Sequence, residues 1–174
     1  MNAPAATLSV LAGTRQACLR VTGRANFTSS IDFRAVLEAL WQKGCQCFVL
    51  DLTDCQLMDS TFLGILAGFG LKLHAAKGGP TVELLNANAR IRDLLETLGV
   101  IHLFRLTQGT LAQSGCGELA AIAPMERGHP SKDELRQACL DAHRALIEIA
   151  PQNAAKFKEV AAFLAEDLKQ ARKP

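Results

Sequence analysis

The stretch from Phe48 to Leu73 constrains the fold most, because its hydrophobic pattern changes period within a few residues. It opens on an apolar run, residues 48–52, which is typical of a strand buried on both faces. After a polar turn at residues 53–56, apolar side chains recur at spacings of three and four, which predicts a helix over residues 60–76. The core-facing side of that helix is expected to carry Phe62, Ile65, Leu66, Phe69 and Leu73.

Asp59 and Ser60 stand where this helix is expected to begin. Either side chain can accept a hydrogen bond from the free N–H groups of the first turn, so one of them is expected to be the N-cap. The N-terminus of a helix also stabilises an anion, and a phosphate on Ser60 would place about two negative charges there. From these residues alone two roles stay open for Ser60, a helix cap or a phosphorylation site.

Three glycines lie inside the same predicted helix, and each costs about 1 kcal/mol relative to alanine. They are Gly64, Gly68 and Gly70. Their presence indicates either a close approach of the helix backbone to a neighbouring element or room for a docking partner.

The remaining patterns alternate between strands and helices. Residues 7–11 and 17–22 are predicted to form a hairpin, residues 23–26 a loop, and Thr28, Ser29 or Ser30 to cap the first helix. The predicted strands lie at residues 7–11, 17–22, 47–52, 81–85 and 101–106, and the predicted helices at residues 28–43, 60–76, 89–98 and 107–121. This alternation is typical of an α/β layer fold.

The C-terminal part of the chain differs in character from the rest. Residues 124–130 have the composition of a linker, and Ser131 with Glu134 forms a capping box that predicts a helix. Pro151 is expected to start a second helix, so the two helices form a hairpin or a kinked rod. The predicted organisation is therefore a domain at residues 1–122, a linker at 123–130 and a helical extension at 131–174. The extension must pack on the α/β domain, on a second copy or on another protein.

Composition excludes several classes of function. The formal net charge of +2 gives no sign of a nucleic-acid surface, no run has the length of a membrane span, and the N-terminus lacks the pattern of a secretory signal. The six cysteines have no C-x-x-C spacing and the four histidines are scattered, so the sequence predicts no metal site, no cofactor and reduced thiols in a cytoplasmic protein.

Residues 50–64 carry a resemblance to a known family. Leu50-Asp51-Leu52 followed by Met58-Asp59-Ser60-Thr61, with Leu63 and Gly64 behind them, resembles the signature of the STAS domain, the anti-sigma-factor antagonist fold. The resemblance extends from about Leu8 to about Leu119 and implies a mixed β-sheet with helices packed on it. It also implies that Ser60 is the phosphoacceptor, with Thr61 as the alternative.

Two positions depart from the family pattern. Phe62 stands where glycine is usual, and Asn26 stands where the family usually places a carboxylate near the phosphoacceptor. Both changes bear on recognition by a kinase and leave the expected fold unchanged. The expected partner-binding rim consists of Asn26, Asp59, Ser60, Thr61, Phe62 and Leu63.

The resemblance implies a non-enzymatic switch. Its expected partners are a serine kinase that also acts as the anti-sigma factor and a phosphatase that removes the phosphate. A homodimer through the C-terminal helices is a further expected contact. Phosphate on Ser60 would add charge to the docking surface and release the partner.

Two other functions are alternatives to the switch. In one, the chain is a STAS subunit bound permanently to a transporter or its ATPase, and Phe62 would add apolar contact area to the docking face. The other is an enzyme, which the sequence disfavours. It shows no nucleophile–base pair, and its glycine-rich segment lies inside a helix instead of before one.

Overall fold

A mixed β-sheet forms the centre of the molecule, of which the computed structural model describes residues 6–77, 82–116 and 129–171. Strands β1 (Thr7–Ala12) and β2 (Gln16–Ala25) form the predicted antiparallel hairpin. Parallel strands then follow in the order β2, β3 (Cys47–Asp51), β5 (Val82–Leu85) and β6 (Phe104–Thr107). The predicted mixed sheet is confirmed, and β3 lies at its centre.

The sheet has one strand more than the sequence pattern indicates. Strand β4 (Cys55–Met58) pairs in parallel with the end of β2, beyond the point where β3 leaves it. Residues 55–56 are therefore not the turn that was predicted, and residues 23–25 are strand instead of loop. This pairing places the start of the following helix beside the end of β2, since the Asp59 N–H donates to the Ala25 carbonyl at 2.9 Å.

A buried carboxylate fixes the turn at the end of β3. Asp51 is 2% exposed, and its carboxylate accepts from the Arg20 guanidinium at 2.8 Å and from the Thr53 N–H at 3.1 Å. Burial acts to raise the pKa of Asp51, but the hydrogen bonds from Thr53 and the charge of Arg20 outweigh it and hold the pKa below its ordinary value. A buried charge with these partners is satisfied, which explains an aspartate in an otherwise apolar strand.

Helices pack on the sheet close to the predicted positions. They are α1 (Phe27–Gln42), α2 (Ser60–Lys77) and α3 (Ala89–Thr97). The cap of α1 differs from the prediction, because Asn26 caps it by accepting from the N–H groups of Thr28 and Ser29. Because α1 begins at Phe27, Thr28 to Ser30 lie inside its first turn, where the Ser29 hydroxyl completes a capping box by accepting from the Asn26 N–H at 3.1 Å.

The predicted helix over residues 107–121 is wrong for its described part. A short 3₁₀ helix (Ile101–Leu103) precedes β6, and residues 110–115 form turns in which the Cys116 N–H donates to the Leu111 carbonyl. Gly115 there has a positive φ of 78°, a conformation that does not continue a helix. Residues 117–121 of the prediction, and residues 123–128 of the predicted linker, lie outside the described residues.

Two of the cysteines are not the reduced thiols that were predicted. Cys18 of β2 and Cys116 form a disulfide, with their Cα atoms 6.3 Å apart. The turn after β6 returns the chain to the face of β2, and this contact spans 98 residues of sequence that no local spacing reveals. Cys45, Cys47, Cys55 and Cys139 are free.

The C-terminal helices form the predicted pair and pack on the α/β domain. They are α4 (Lys132–Ile149) and α5 (Ala154–Ala171), joined by a 3₁₀ turn (Pro151–Asn153). The capping box of Ser131 and Glu134 is confirmed. Asn153, fully buried, donates its side-chain amide to the carbonyls of Leu98 and Leu146, which ties the junction of the two helices to the end of α3.

Helix α4 lies directly on α2. A Cβ atom added at Gly64 would lie 2.5 Å from the Ala142 carbonyl oxygen, whereas one added at Gly68 would lie 3.4 Å from the Ala145 Cβ. The first of the two interpretations of these glycines, a close approach by a neighbouring element, is therefore the one that the structure supports. The division of the chain into a domain, a linker and an extension stays a prediction.

Candidate functional site

Ser60 is the first residue of α2, and Asp59 is the cap that precedes it. One Asp59 carboxylate oxygen accepts from the Phe62 N–H at 2.8 Å, and the other accepts from the Phe27 N–H at 2.8 Å. A single carboxylate therefore ties together the N-termini of α1 and α2. Ser60 is free of the capping role, so its hydroxyl is available for other chemistry.

The Ser60 hydroxyl is half-buried beneath α4. Its Oγ lies 3.1 Å from Nε2 of His143, a residue of α4 that is 5% exposed. Thr61 is also buried, and its hydroxyl lies 3.5 Å from the thiol of Cys139, one turn before His143 on the same face of α4. Both expected hydroxyls therefore face α4, and neither is freely open to solvent.

His143 is the site residue that the sequence analysis missed. It is separated from Ser60 by 83 residues, and a histidine inside a helical pattern carries no local sign of its partner. The ring of Phe157 from α5 packs against it with centroids 4.7 Å apart. The sequence did contain one signal, because both helices carry small residues at the contact. They are Gly64 and Gly68 in α2, and Ala142 and Ala145 in α4. These small residues permit the close approach that brings His143 to Ser60.

The environment of His143 keeps its imidazole neutral. Burial lowers the pKa of His143, and a hydrogen bond to the backbone of Cys139 and the charge of Asp59 only partly oppose that effect. A neutral imidazole has one donor and one acceptor nitrogen, so it can bond the Ser60 hydroxyl in either tautomer. Protonation of the buried ring is disfavoured, which makes the contact between α4 and α2 sensitive to acid.

We expect this pKa shift to appear as a dependence of stability on pH. Because the folded protein binds the His143 proton less tightly than the unfolded chain, the free energy of unfolding should fall as the pH drops below about 6.5. Urea unfolding at pH 5 to 8 measures this, and His143→Gln should fall less steeply over the same range. The pKa of Asp51 is lowered as well, but the stability that this shift contributes is lost only as the pH falls below about 3.8, outside this window. Identical slopes for wild type and variant would contradict the assignment.

Phe62 and Leu63 do not lie on the surface where the partner-binding rim was expected. Both are 0% exposed, and the Phe62 ring stacks on Phe33 of α1 with centroids 4.3 Å apart. Phe62 therefore adds its apolar area to the core between α1 and α2 and not to a docking face. Asn26 is the cap of α1, and Phe27 beside it is 51% exposed.

A groove of about 240 Å³ runs beside this site between α1, α2 and α4. Its lining includes Gly68 and Phe69, and also Arg34 of α1, which pairs with Asp141 of α4 at 3.0 Å.

Within residues 6–77, 82–116 and 129–171, no three His, Cys, Asp or Glu side chains come together as metal ligands. None of the helices described over these ranges combines the length and the hydropathy needed to cross a membrane.

Comparisons with known proteins bear on the fold of the chain. A family model described as the STAS domain matches residues 9–113, which is more than half of the chain. A search of curated protein sequences finds no match.

The solved structures similar to this chain include anti-sigma factor antagonists. A putative anti-sigma factor antagonist from Thermotoga maritima has 18% identity and a TM-score of 0.53, over 62% of this chain and 91% of its own. SpoIIAA in its unphosphorylated form has 17% identity and a TM-score of 0.50, over 62% of this chain and 93% of its own. An anti-sigma factor antagonist from Mycobacterium paratuberculosis has 19% identity and a TM-score of 0.50, over 63% of this chain and 90% of its own. At these identities the likeness establishes the fold.

Proposed function

This chain belongs to the STAS domain family, and on that premise we propose that it is an anti-sigma-factor antagonist switched by phosphorylation of Ser60. It acts by binding and not by catalysis. The observation that carries the proposal is the position of Ser60 at the first residue of α2, with capping already supplied by Asp59. SpoIIAA, whose fold is similar, has been solved in a phosphorylated form.

The chemistry of the switch follows from that position. A phosphate on Ser60 lies in the field of the N–H groups of α2, which favours negative charge. It also stands beside the Asp59 carboxylate and adds about two charges to the surface on which a partner docks. The partner is a serine kinase that holds the sigma factor, the phosphorylated chain releases it, and a phosphatase resets the switch.

Peptide mass spectrometry on protein taken from its native cells tests this proposal. We expect phosphate on the peptide that contains Ser60, in an amount that differs between growth and stress. Ser60→Ala should abolish the signal and Thr61→Val should keep it, because the Thr61 hydroxyl is 5% exposed against Cys139. Equal phosphorylation of wild type and Ser60→Ala would refute the assignment.

The half-buried position of Ser60 favours a second candidate, a STAS subunit that stays bound to a transporter or its ATPase without modification. An ATPase that copurifies with the chain, with Ser60 unmodified in every growth condition, would favour this candidate over the switch. The expected homodimer through the C-terminal helices stays a prediction. Its contact residues would be Val160 and Phe163, which are 38% and 68% exposed on α5.

A further inference from the structure

We propose that α4 and α5 form an autoinhibitory cover, which must leave α2 before a kinase or a partner protein reaches Ser60. The inference rests on the proposed function for the role of Ser60. The cover itself rests on contacts within this chain. The family match ends at residue 113, so both helices lie outside the matched region.

The cover and a docked partner exclude each other. At Gly64 the backbones of α2 and α4 are so close that an added Cβ would lie 2.5 Å from the Ala142 oxygen and 2.7 Å from the Ala142 Cβ. No second protein fits between helices at this distance. A partner that contacts the Ser60 end of α2 therefore has to replace α4.

The hydroxyl of Ser60 is also engaged chemically by the cover. Its contact with His143 at 3.1 Å must break before Oγ can attack a phosphoryl group, and the added phosphate needs the volume that the imidazole now fills. Phosphorylation consequently requires an open cover and keeps it open.

The contact of α4 with α2 is polar beside Ser60, while buried Leu146 of α4 belongs to the same core cluster as the sheet. The Ser60 end of the α2–α4 interface consists of hydroxyl, thiol and imidazole groups and of small residues, which bury little apolar area per residue. The groove of about 240 Å³ beside it leaves part of the contact unfilled. By contrast, β3 and the side of α2 that faces the sheet contain fully buried Phe48, Leu50 and Leu66. Local opening of the less apolar contact costs less than unfolding of the sheet.

When the cover opens, the face of α2 that it exposes suits one kind of partner. Ser60, Thr61, Gly64 and Gly68 present a strip without bulky side chains, on which α4 itself lies at backbone contact. A second α-helix with small residues at matching spacing fits this strip as α4 does. We therefore assign the docking element of the partner to a helix that mimics residues 138–145.

Alkylation of the free thiols by iodoacetamide in the full-length protein, followed by peptide mass spectrometry, tests the cover. Cys139 is partly buried on α4 with its thiol against Thr61 of α2, Cys47 is exposed, and Cys45 is buried in the core. In wild type at increasing urea, we expect the labelling rate of Cys139 to rise with a shallower slope than that of Cys45, because less surface is exposed when the cover opens. Cys55 is a poor reporter, since burial raises its pKa to about 11.

The urea dependence of the two labelling rates, measured on the wild-type protein, is enough to test the cover. A Cys139 slope equal to that of Cys45 would mean that α4 leaves only on global unfolding. A slope of zero would mean that the thiol, and Ser60 beside it, is reached with α4 in place. Either result overturns the proposal.

A pair of variants on α4 provides the control. Ala142→Arg places a large side chain against Gly64 and should accelerate labelling of Cys139 roughly tenfold or more, with Cys45 unchanged. Glu148→Arg, at an exposed position of the same helix, should leave all rates unchanged. Phosphate on Ser60 in cells should increase in Ala142→Arg. If alkylation of Cys139 accelerates in Ala142→Arg while Ser60 carries no phosphate, the result supports the cover and refutes the proposed switch.

Discussion

Replacing Phe62 with alanine is expected to lower the free energy of unfolding by about 3–5 kcal/mol. The ring is 0% exposed and stacks on Phe33 with an interplanar angle of 20°, so its removal leaves a cavity between α1 and α2. Urea unfolding followed by circular dichroism measures the change.

Phe163→Ala is the matched control for this prediction. It removes the same ring at a position that is 68% exposed, so the change in stability should stay within about 0.5 kcal/mol. Equal losses in the two variants, or a Phe62→Ala protein as stable as wild type, would contradict the packing described here. The result also explains why phenylalanine can stand at position 62, where the STAS family usually has glycine. A residue that fills the core contributes to stability and not to partner contact.

Gly64→Ala is expected to destabilise the protein by about 1–3 kcal/mol, although alanine favours a helix. The added Cβ would overlap the backbone of Ala142. A backbone segment cannot rotate away as the end of a flexible side chain can. Thermal unfolding measures the loss, and hydrogen exchange locates it in α4.

Gly68→Ala makes the same substitution one turn further along α2. Its Cβ would meet the Ala145 Cβ at 3.4 Å, an ordinary contact, so the gain in helix propensity should stabilise the protein by up to about 1 kcal/mol. Opposite signs for the two variants would establish where α2 and α4 touch most closely. The same sign for both would show that the crossing point lies elsewhere.

Much of the sheet could be predicted because its signals are local. The run around Leu50 indicated a doubly buried strand, and the strand is central. Asp59 and Ser60 indicated a helix start, and α2 begins at Ser60. The capping box of Ser131 and Glu134 likewise marked the start of α4 to the residue. In each case the signal itself lies within a few consecutive residues.

The features that escaped prediction depend on contacts between distant residues. Strand β4 is four residues long, too short to show a period, and exists because the end of β2 pairs with it. The disulfide of Cys18 with Cys116 and the contact of Ser60 with His143 span 98 and 83 residues. The helical period places Phe62 on the core-facing side of α2, which is confirmed, whereas its place in the partner-binding rim is wrong because Phe33 of α1 packs on it.

The packing of α4 on α2 within one chain also sets a concentration threshold. A tethered segment competes at an effective concentration that is typically in the millimolar range for short flexible connections. If the face is free in about one molecule in a hundred, an external helix binds about 100-fold more weakly than to a chain without residues 131–171. Under the proposed cover, the amount of partner needed depends on the stability of the α2–α4 contact, and changes at Ala142 or His143 would adjust it without altering Ser60.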